Sequence, residues 1–241
     1  IDMSKNYTLS AEYYDVIYDF KDYQKESKRV IQFIEKYKKN SGKELLEVGC
    51  GTGKFLNYLR KKYHFSGVDL SEGMLKVARK KFPHMMLKKM DMTNLTLGKK
   101  FDVIVCLFSS IGYVKTLPRL KKTISGFARH LNKGGVLIIE PWLNAQTYHA
   151  GNPHGNLYKS KELVVARVSV SERKGMVSVM DMHHLIARKG GKVEHVIEHH
   201  ELGLFPVSTT LDYLREAGLD ARFHKDGLQM KRGLYVATKP L

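Results

Sequence analysis

The sequence contains only two cysteines, Cys50 and Cys106, among its 241 residues. Two isolated cysteines cannot form the disulfide framework of a small secreted domain, and they lack the paired spacing of a zinc site. No apolar run approaches the roughly 20 residues of a membrane helix, and the start of the chain lacks the basic-then-apolar pattern of a signal peptide. We therefore expect a soluble, cytoplasmic protein with structural thiols and no membrane partner.

Acidic residues are also scarce. The chain has 24 Asp and Glu but 41 Lys and Arg, which gives a formal net charge of +17. Such a surplus favours an anionic partner: a nucleic acid, an anionic lipid or a phosphorylated small molecule. The lysines, however, occur as short pairs dispersed over many predicted elements, as on an ordinary solvated surface. Charge alone therefore leaves the class of partner open.

Short apolar runs alternate with amphipathic stretches between Lys43 and Glu140. This alternation is typical of βαβ units and predicts an α/β fold with a mostly parallel sheet covered by helices on both faces. Apolar residues between the runs recur at helical spacing, as in Met74, Leu75, Ala78 and Phe82. The predicted strands are Glu44–Val48, Phe65–Asp69, Met85–Met90, Phe101–Leu107 and Val136–Glu140.

The composition changes after Trp142, where three long strands separated by glycine-containing turns predict an antiparallel meander. We therefore expect residues 143–204 to form an inserted β cap. Residues 1–142 and 205–241 are then the main domain, which ends with a helix that begins at a capping box of Thr209 and Asp212, and with two strands. The three cap strands are Leu163–Ser171, Met176–Ala187 and Lys192–Leu204, and the last two are Ala221–His224 and Leu234–Thr238.

Two helices, Ala11–Phe20 and Asp22–Tyr37, are predicted before the first strand. The first of them carries five aromatic or large aliphatic residues in ten positions, so we expect this N-terminal segment to lie as a lid over another surface. The five residues are Tyr13, Tyr14, Ile17, Tyr18 and Phe20.

A glycine-rich turn, Gly49-Cys50-Gly51-Thr52-Gly53, joins the first strand to a helix. It lies at the carboxyl edge of the predicted sheet, where ligands bind, and its glycines allow the backbone to turn tightly and approach a ligand. Lys54 occupies the position where a dinucleotide-binding fold has its last glycine, which disfavours pyrophosphate. Asp69 ends the second strand, about 20 residues after Gly49, where a carboxylate can accept both ribose hydroxyls.

The pattern Glu47-x-Gly-x-Gly-x-Gly followed by Gly67-Val68-Asp69 resembles the class I S-adenosylmethionine-dependent methyltransferases. The resemblance implies a Rossmann-like sheet of seven strands and S-adenosylmethionine as cofactor. It also implies that the glycine loop contacts the methionine part, Asp69 the ribose, Met74 the adenine, and Asp91-Met92 its exocyclic amine. The cofactor-binding residues expected on this basis are Tyr14, Tyr23, Glu47, Gly49, Cys50, Gly51, Thr52, Gly53, Asp69, Leu70, Met74, Asp91, Met92, Leu107 and Phe108.

A narrower resemblance, to the N-methyltransferases that form dimethylamino groups on nucleotide-linked amino sugars, extends over nearly the whole chain. The matching segments follow the family order with similar gaps. They are Tyr14-Asp15, Lys21-Asp22-Tyr23, Phe108-Ser109-Ser110-Ile111-Gly112-Tyr113, Glu140-Pro141-Trp142, Arg167-Val168-Ser169 and Arg232-Gly233-Leu234. We therefore expect Trp142 to stack on a nucleotide base and Arg167 and Arg232 to pair with a diphosphate. Solvation at the surface is the alternative interpretation for both arginines.

This sequence departs from that family at three places, all expected near the substrate. Leu143 replaces a second tryptophan and Val170 replaces a histidine. The run Lys225–Lys231 replaces a glycine- and serine-rich segment.

Methyl transfer from a sulfonium requires a neutral nucleophile aligned with the methyl group, so positioning is the main task of the protein. An amine must also lose a proton, which calls for a nearby acceptor or a route to water. Tyr113, where relatives carry Tyr or His, and Tyr14 are the predicted catalytic residues. We expect both to orient the amine first, because a phenol with a pKa near 10 is a poor base; aromatic packing alone is the alternative interpretation.

The eleven histidines do not predict a metal site, since the neighbours His183-His184 and His199-His200 point to opposite faces of a strand. The predicted function is N-methylation of a nucleotide-linked amino sugar or a similar small molecule. RNA or protein methylation through the basic surface, small-molecule O-methylation and non-catalytic binding of the cofactor are the alternatives. No oligomeric state is predicted.

Overall fold

The computed structural model describes residues 10–228 and 232–241, and within them the chain forms two β-sheets. The strands are β1 Glu44–Val48, β2 His64–Asp69, β3 Met86–Lys89, β4 Phe101–Cys106, β5 Leu131–Ile139, β6 Pro153–Lys159, β7 Leu163–Lys174, β8 Val177–Arg188, β9 Val193–Gly203, β10 Asp220–His224 and β11 Leu234–Thr238. The α-helices are α1 Tyr14–Ile17, α2 Tyr23–Tyr37, α3 Leu56–Leu59, α4 Glu72–Lys81, α5 Leu117–His130 and α6 Val207–Glu216.

The larger sheet has seven strands in the order β10-β11-β5-β4-β1-β2-β3. β11 is antiparallel to both of its neighbours, whereas the other pairs are parallel. The order reverses at β1 and β4, which opens a crevice beyond their carboxyl ends. The predicted α/β fold with a mostly parallel seven-stranded sheet is confirmed.

Both faces of this sheet are buried, which explains why its central strands are continuous apolar runs. In β1, Leu45 packs into the core formed with α2, α3 and α4, while the next residue, Leu46, packs into the core formed with α5 and α6. Every residue of β4 is buried. The sheet is therefore a rigid support for the loops at its carboxyl edge.

The N-terminal segment differs from the single helix predicted over Ala11–Phe20. A 3₁₀ turn at Ser10–Glu12 is followed by the four residues of α1, and neither residue flanking α1 offers a capping side chain. The aromatic rings pack instead on other elements: the Tyr18 ring lies 5.1 Å from that of Phe108, and Tyr13 contacts His184 of the second sheet. Tertiary contacts of the aromatic side chains thus override the helical pattern.

The second sheet contains four antiparallel strands, β6-β7-β8-β9, and not the three predicted. The missed strand, β6, is an edge strand that begins at Pro153 and includes Gly155 and Asn156, residues that are typical of turns. Proline is compatible with the first position of an edge strand. All four strands lie within residues 143–204, the predicted cap; its status as a separate domain stays a prediction.

Two further predictions of element boundaries are wrong. β5 begins at Leu131 and not at Val136, because Leu131 pairs with Phe101 and the register then shifts before Val136 pairs with Val103. α6 begins at Val207, directly after Pro206, and its N-terminus has no side-chain cap. The Thr209–Asp212 capping box therefore does not form.

The outer face of the second sheet carries exposed apolar side chains, including Val168, Val170 and Leu185. Val170 is 52% exposed on this face, so the departure at that position does not lie near the substrate as expected. Part of the departure at Lys225–Lys231, residues 229–231, lies outside the described residues. None of the described helices is long and apolar enough to cross a membrane.

Candidate active site

A cavity of about 300 Å³ lies between the carboxyl edge of the larger sheet, the N-terminal segment and the inner face of the second sheet. Its size reaches the lower end of the range of ligand pockets in general. Every predicted site residue except Gly53 lines it. Gly53 lies behind the cavity wall with a φ of +80°, and a Cβ there would come 2.9 Å from the Phe82 ring.

The glycine loop is held by backbone hydrogen bonds at the switch point of the sheet. The N–H groups of Gly49 and Cys50 both donate to the Val68 carbonyl, at 2.8 and 3.1 Å. Gly49 and Gly51 have φ values of +75° and +54°, which L side chains rarely adopt. A Cβ at Gly49 would come 2.6 Å from Ser110, so this position also needs glycine for space.

Asp69 links this loop to the start of α4. Its Oδ2 accepts a hydrogen bond from the Gly51 N–H and its Oδ1 accepts one from the Ser71 N–H, each at 2.8 Å. Burial raises the pKa of the carboxyl, and the backbone N–H groups of Ser71, Gly51 and Leu70 oppose that rise. The acid is therefore fixed in orientation before any ligand arrives.

Glu47 is a buried carboxylate at the end of β1 and lines the cavity. Within the described residues its Oε2 has no hydrogen-bond partner. Burial, and next the charge of Asp69, raise its pKa well above the ordinary value. A buried acid in this condition calls for a cation.

S-adenosylmethionine fits this part of the cavity on two observations. The ammonium group of its methionine part would supply the cation that Glu47 lacks, and Gly49 leaves open the space that a side chain would fill. Met74 and Met90 offer apolar surface, while Asp91 stands at the end of β3 with its Oδ1 bonded to the Thr93 N–H. The predicted contacts to ribose and adenine stay predictions.

The N-terminal segment is tied to the glycine loop through Asp15. Its Oδ1 accepts a hydrogen bond from the Thr52 hydroxyl at 2.7 Å, and its carboxylate forms an ion pair with Lys81. Tyr14, the preceding residue, lines the cavity with its ring centroid 4.6 Å from that of Tyr18. The same segment thus covers the cofactor loop and presents an aromatic wall.

The turn after β4 has an unusual backbone, since Phe108 and Ser109 have φ values of +50° and +64°. Non-glycine residues with such angles cost about 1–3 kcal/mol each and persist only where surrounding contacts enforce them. Here Glu140 Oε2 accepts the Phe108 N–H at 2.7 Å, and the Ser109 hydroxyl donates to the Pro141 carbonyl at 2.8 Å. Arg232 Nη1 completes the set by donating to Ser109 Oγ at 2.7 Å.

Next to this turn, three buried charged residues, Lys21, Glu26 and Glu140, form a cluster with the partly buried Arg232. Lys21 and Glu26 form an ion pair with side-chain exposures of 0% and 2%. Burial raises the pKa of the Glu140 carboxyl, and the charges of Lys21 and Arg232 oppose the rise. Sequence reasoning missed Glu26 and Glu140, although Glu140 stands in one of the segments quoted for the narrower resemblance.

All three predicted substrate-side residues are already held by neighbours. The Arg167 guanidinium donates to the hydroxyls of Tyr18 and Tyr158 at 3.3 and 2.8 Å. The Trp142 Nε1–H donates to Ser178, while the Arg232 guanidinium lies 4.3 Å from the centroid of the Trp142 ring. One face of that ring is therefore covered, and a nucleotide base has only the other.

Tyr113 contacts a residue that sequence reasoning did not select. Its Oη lies 2.9 Å from Nδ1 of His200, which is buried and also lines the cavity. The sequence indicates His200 only as half of a candidate metal-binding pair with His199. Its contact with Tyr113 joins distant parts of the chain and leaves no pattern in the neighbouring sequence. Among the described residues no group of three His, Cys, Asp or Glu side chains is placed to hold a metal ion.

Comparison with known proteins gives relatives over nearly the whole chain. A family model described as a methyltransferase domain matches residues 45–135. The dTDP-3-amino-3,4,6-trideoxy-alpha-D-glucopyranose N,N-dimethyltransferase of Streptomyces venezuelae is 35% identical over 95% of this chain and 97% of its own. The dTDP-3-amino-3,6-dideoxy-alpha-D-glucopyranose N,N-dimethyltransferase of Streptomyces fradiae is 31% identical over 94% and 89%.

Solved structures agree with these relatives. The crystal structure of Streptomyces venezuelae DesVI has a TM-score of 0.90 at 34% identity and covers 95% of this chain and 98% of its own. The S-adenosylmethionine-bound structure of CalS10, an amino pentose methyltransferase from Micromonospora echinaspora, has a TM-score of 0.81 at 30% identity, with coverages of 91% and 92%. S-adenosylmethionine is therefore the cofactor of this chain.

Gly49→Ala and Gly51→Ala separate backbone strain from crowding. Both variants place a side chain at positive φ, at a cost of about 1–2 kcal/mol, but only the Gly49→Ala methyl group meets Ser110. We expect Gly49→Ala to lose more stability and more cofactor affinity than Gly51→Ala, measured by urea unfolding and calorimetric titration. Adding Ser110→Gly should recover the difference; equal losses in the two single variants would contradict the crowding argument.

Glu47→Gln should stabilise the cofactor-free protein while weakening cofactor binding. Because the pKa of Glu47 is raised in the folded state, its contribution to stability is fully present below its ordinary value of 4.5 and is lost as the pH rises. The variant should therefore match the wild type below that pH and gain about 1–3 kcal/mol near neutral pH, the cost of a buried unpaired group.

Urea unfolding of the cofactor-free protein measures this effect. The pH is varied from about 4 to about 8, so that the range includes both the ordinary pKa of a glutamate and neutral pH. Glu44→Gln is the control on the same strand. The pKa of Glu44 is lowered, first by its hydrogen bond from Lys99, so its contribution is present above the ordinary value and is lost as the pH falls. A gain of stability in both variants at neutral pH would refute the explanation.

Proposed function

This chain belongs to the dTDP-amino-sugar N,N-dimethyltransferases, S-adenosylmethionine-dependent enzymes, and we propose that it methylates the amine of a nucleoside-diphosphate-linked amino sugar. The observation that carries the proposal is the extent of the match, since one such relative is covered over 97% of its length, including the second sheet that would form the acceptor side. Two successive transfers to one nitrogen give the dimethylamino product.

When bound, S-adenosylmethionine supplies a methyl group that is already activated by the sulfonium charge. The protein's contribution is then to bring a neutral amine into line with it and to exclude water. The aromatic side chains of Tyr14, Tyr18 and Phe108 at the cavity wall support this assignment. We assign to the hydroxyls of Tyr14 and Tyr113 the orientation of the amine.

Arg167 is our candidate for the diphosphate. Hydrogen bonds to Tyr18 and Tyr158 fix its planar guanidinium at the cavity wall, and a pre-oriented guanidinium suits a bidentate contact with a phosphate. Arg232 already gives one N–H to Ser109, so its remaining donors are the ones available to a phosphate. The net charge of +17 would add long-range attraction for an anionic substrate.

One of the positions at which this chain departs from the family pattern lies next to the cavity. Leu143, which replaces a tryptophan, is half-buried directly after Trp142, whereas Val170 lies on the outer face of the second sheet. We propose Leu143, the neighbour of the cavity residue Trp142, as a position that distinguishes the sugar. A cytoplasmic location is proposed with this function, supported by two buried free cysteines.

The direct test is incubation of the purified protein with S-adenosylmethionine and a panel of dTDP-amino sugars that carry the amine at C3 or C4. We expect mass spectrometry to detect the gain of one methyl group and then of a second on one member of the panel. A parallel reaction with bulk RNA serves as control. Methylation of RNA but of no sugar nucleotide would overturn the proposal.

Arg167→Ala should raise KM for the sugar nucleotide by roughly tenfold to a hundredfold with little change in kcat, because it removes binding that is equal in ground and transition states. Arg173→Ala, on the same strand but exposed and bonded to loop carbonyls, is the matched control and should leave both constants unchanged. Steady-state kinetics checks both variants. A fall in kcat with KM unchanged would place Arg167 in another role.

A further inference from the structure

The second sheet contributes one titratable side chain to the cavity wall for which the proposed function has no use, His200. It lies in β9 with 1% of its surface exposed, and its Nδ1 is 2.9 Å from the hydroxyl of Tyr113. Tyr113 comes from the 3₁₀ turn Ser110–Val114 directly after β4. Two parts of the fold that are far apart in the chain thus join a phenol and an imidazole at the expected amine site.

We propose that His200 is the proton acceptor of the reaction, acting through Tyr113. The proposal rests on the proposed function, because it concerns the proton that an amine carries. Amines of ordinary basicity are mostly protonated at neutral pH, and each methyl transfer to a neutral amine produces an ammonium again. Dimethylation therefore requires repeated removal of a proton from the same nitrogen.

A phenol alone is a weak base, but a phenol that is hydrogen-bonded to an imidazole can pass the proton on to the imidazole. In the tautomer with the proton on Nε2, His200 Nδ1 accepts the Tyr113 O–H, and the phenol oxygen can accept an N–H of the substrate at the cavity wall. The N–H bond breaks as a proton passes to the Tyr113 oxygen, while the proton of Tyr113 passes to Nδ1. The amine keeps its electron pair, Tyr113 is restored, and the imidazolium later releases its proton to water.

The pair lies beside a carboxylate. Glu198 is on the same face of β9, with its Oε2 3.6 Å from Nε2 of His200. Among the described residues, Tyr113 and, from β8, His184 are further titratable groups that interact with His200. Met180 lies opposite His200 in the β8–β9 register.

The chain contains its own control for this pair. Tyr13 Oη lies 3.1 Å from Nδ1 of His184, and both residues are as buried as His200. This second tyrosine–histidine pair bridges the same sheet and the N-terminal segment but does not line the cavity. A structural role for such pairs predicts similar effects of mutation at both, whereas proton transfer predicts an effect only at Tyr113 and His200.

The test compares His200→Ala, Tyr113→Phe, His184→Ala and Tyr13→Phe in the complete enzyme, with the sugar nucleotide that the wild type methylates. We expect His200→Ala to lower kcat about 10²-fold at neutral pH, the lower end of general-base effects, with KM changed much less. Added imidazole should restore part of kcat in His200→Ala but not in the double variant with Tyr113→Phe. His184→Ala and Tyr13→Phe should lower the melting temperature without a loss of kcat that imidazole restores.

A second readout is independent of turnover. In the cofactor-free protein, nitrogen NMR should show the His200 Nδ1 resonance as an acceptor, and Tyr113→Phe should shift it while Tyr13→Phe does not. If His200→Ala fails to fold, His200→Gln replaces it and should lose kcat while the fold is kept. A kcat within about threefold of the wild-type value in either variant would overturn the role of His200, because the loss of a general base lowers kcat far more than that. A loss of kcat that imidazole does not relieve would overturn it as well. No turnover by the wild type would instead refute the proposed function, and this inference with it.

Discussion

The hydrogen bond from the Phe108 N–H to the Glu140 carboxylate is the constraint on which the cavity depends. It holds two consecutive non-glycine residues in the left-handed region, directly after the central strand β4. This conformation lets Phe108 line the cavity and lets the Ser109 hydroxyl bond to Pro141 and Arg232. A buried carboxylate can support such strain only if its own charge is compensated, and the charges of Lys21 and Arg232 oppose the rise that burial causes in its pKa.

This requirement explains why the segments shared with the family are dispersed along the chain. The segments beginning at Lys21, Phe108, Glu140 and Arg232 come from the N-terminal lid, the end of β4, the end of β5 and the start of β11, yet they meet at one buried cluster. Gly233 belongs to the same region, because its φ is +83° and a Cβ would come 2.1 Å from the Phe223 ring. Each of these segments supplies a charge or a hydrogen-bond partner that another segment of the cluster requires.

The sequence predicts the cofactor half of the molecule well because that half is built from neighbours in the chain. The apolar strands β1 and β4 need only local hydrophobicity, and the glycine loop with Asp69 is a short-range motif that the sheet brings together. The acceptor half was predicted less well. The 2.9 Å contact of Tyr113 with His200 and the break in the first helix both depend on packing between distant elements, which no periodicity encodes. The edge strand β6 was missed because turn-forming residues are also tolerated at a sheet edge.

The cofactor loop and the acceptor side of the cavity are held by different contacts, so the acceptor side can change without the cofactor loop. The cofactor loop is fixed by backbone hydrogen bonds to β2 and by Asp69, none of which involves the second sheet. Side chains of that sheet, such as Met180, Met182 and His200, line the opposite wall. Substitution there alters the shape of the wall without disturbing the glycine loop, because a β-sheet tolerates exchange of side chains on one face while its ladder is kept. The three departures from the family pattern, at Leu143, Val170 and Lys225–Lys231, lie outside the glycine loop and the Asp69 segment, so none of them alters the residues that hold the cofactor loop.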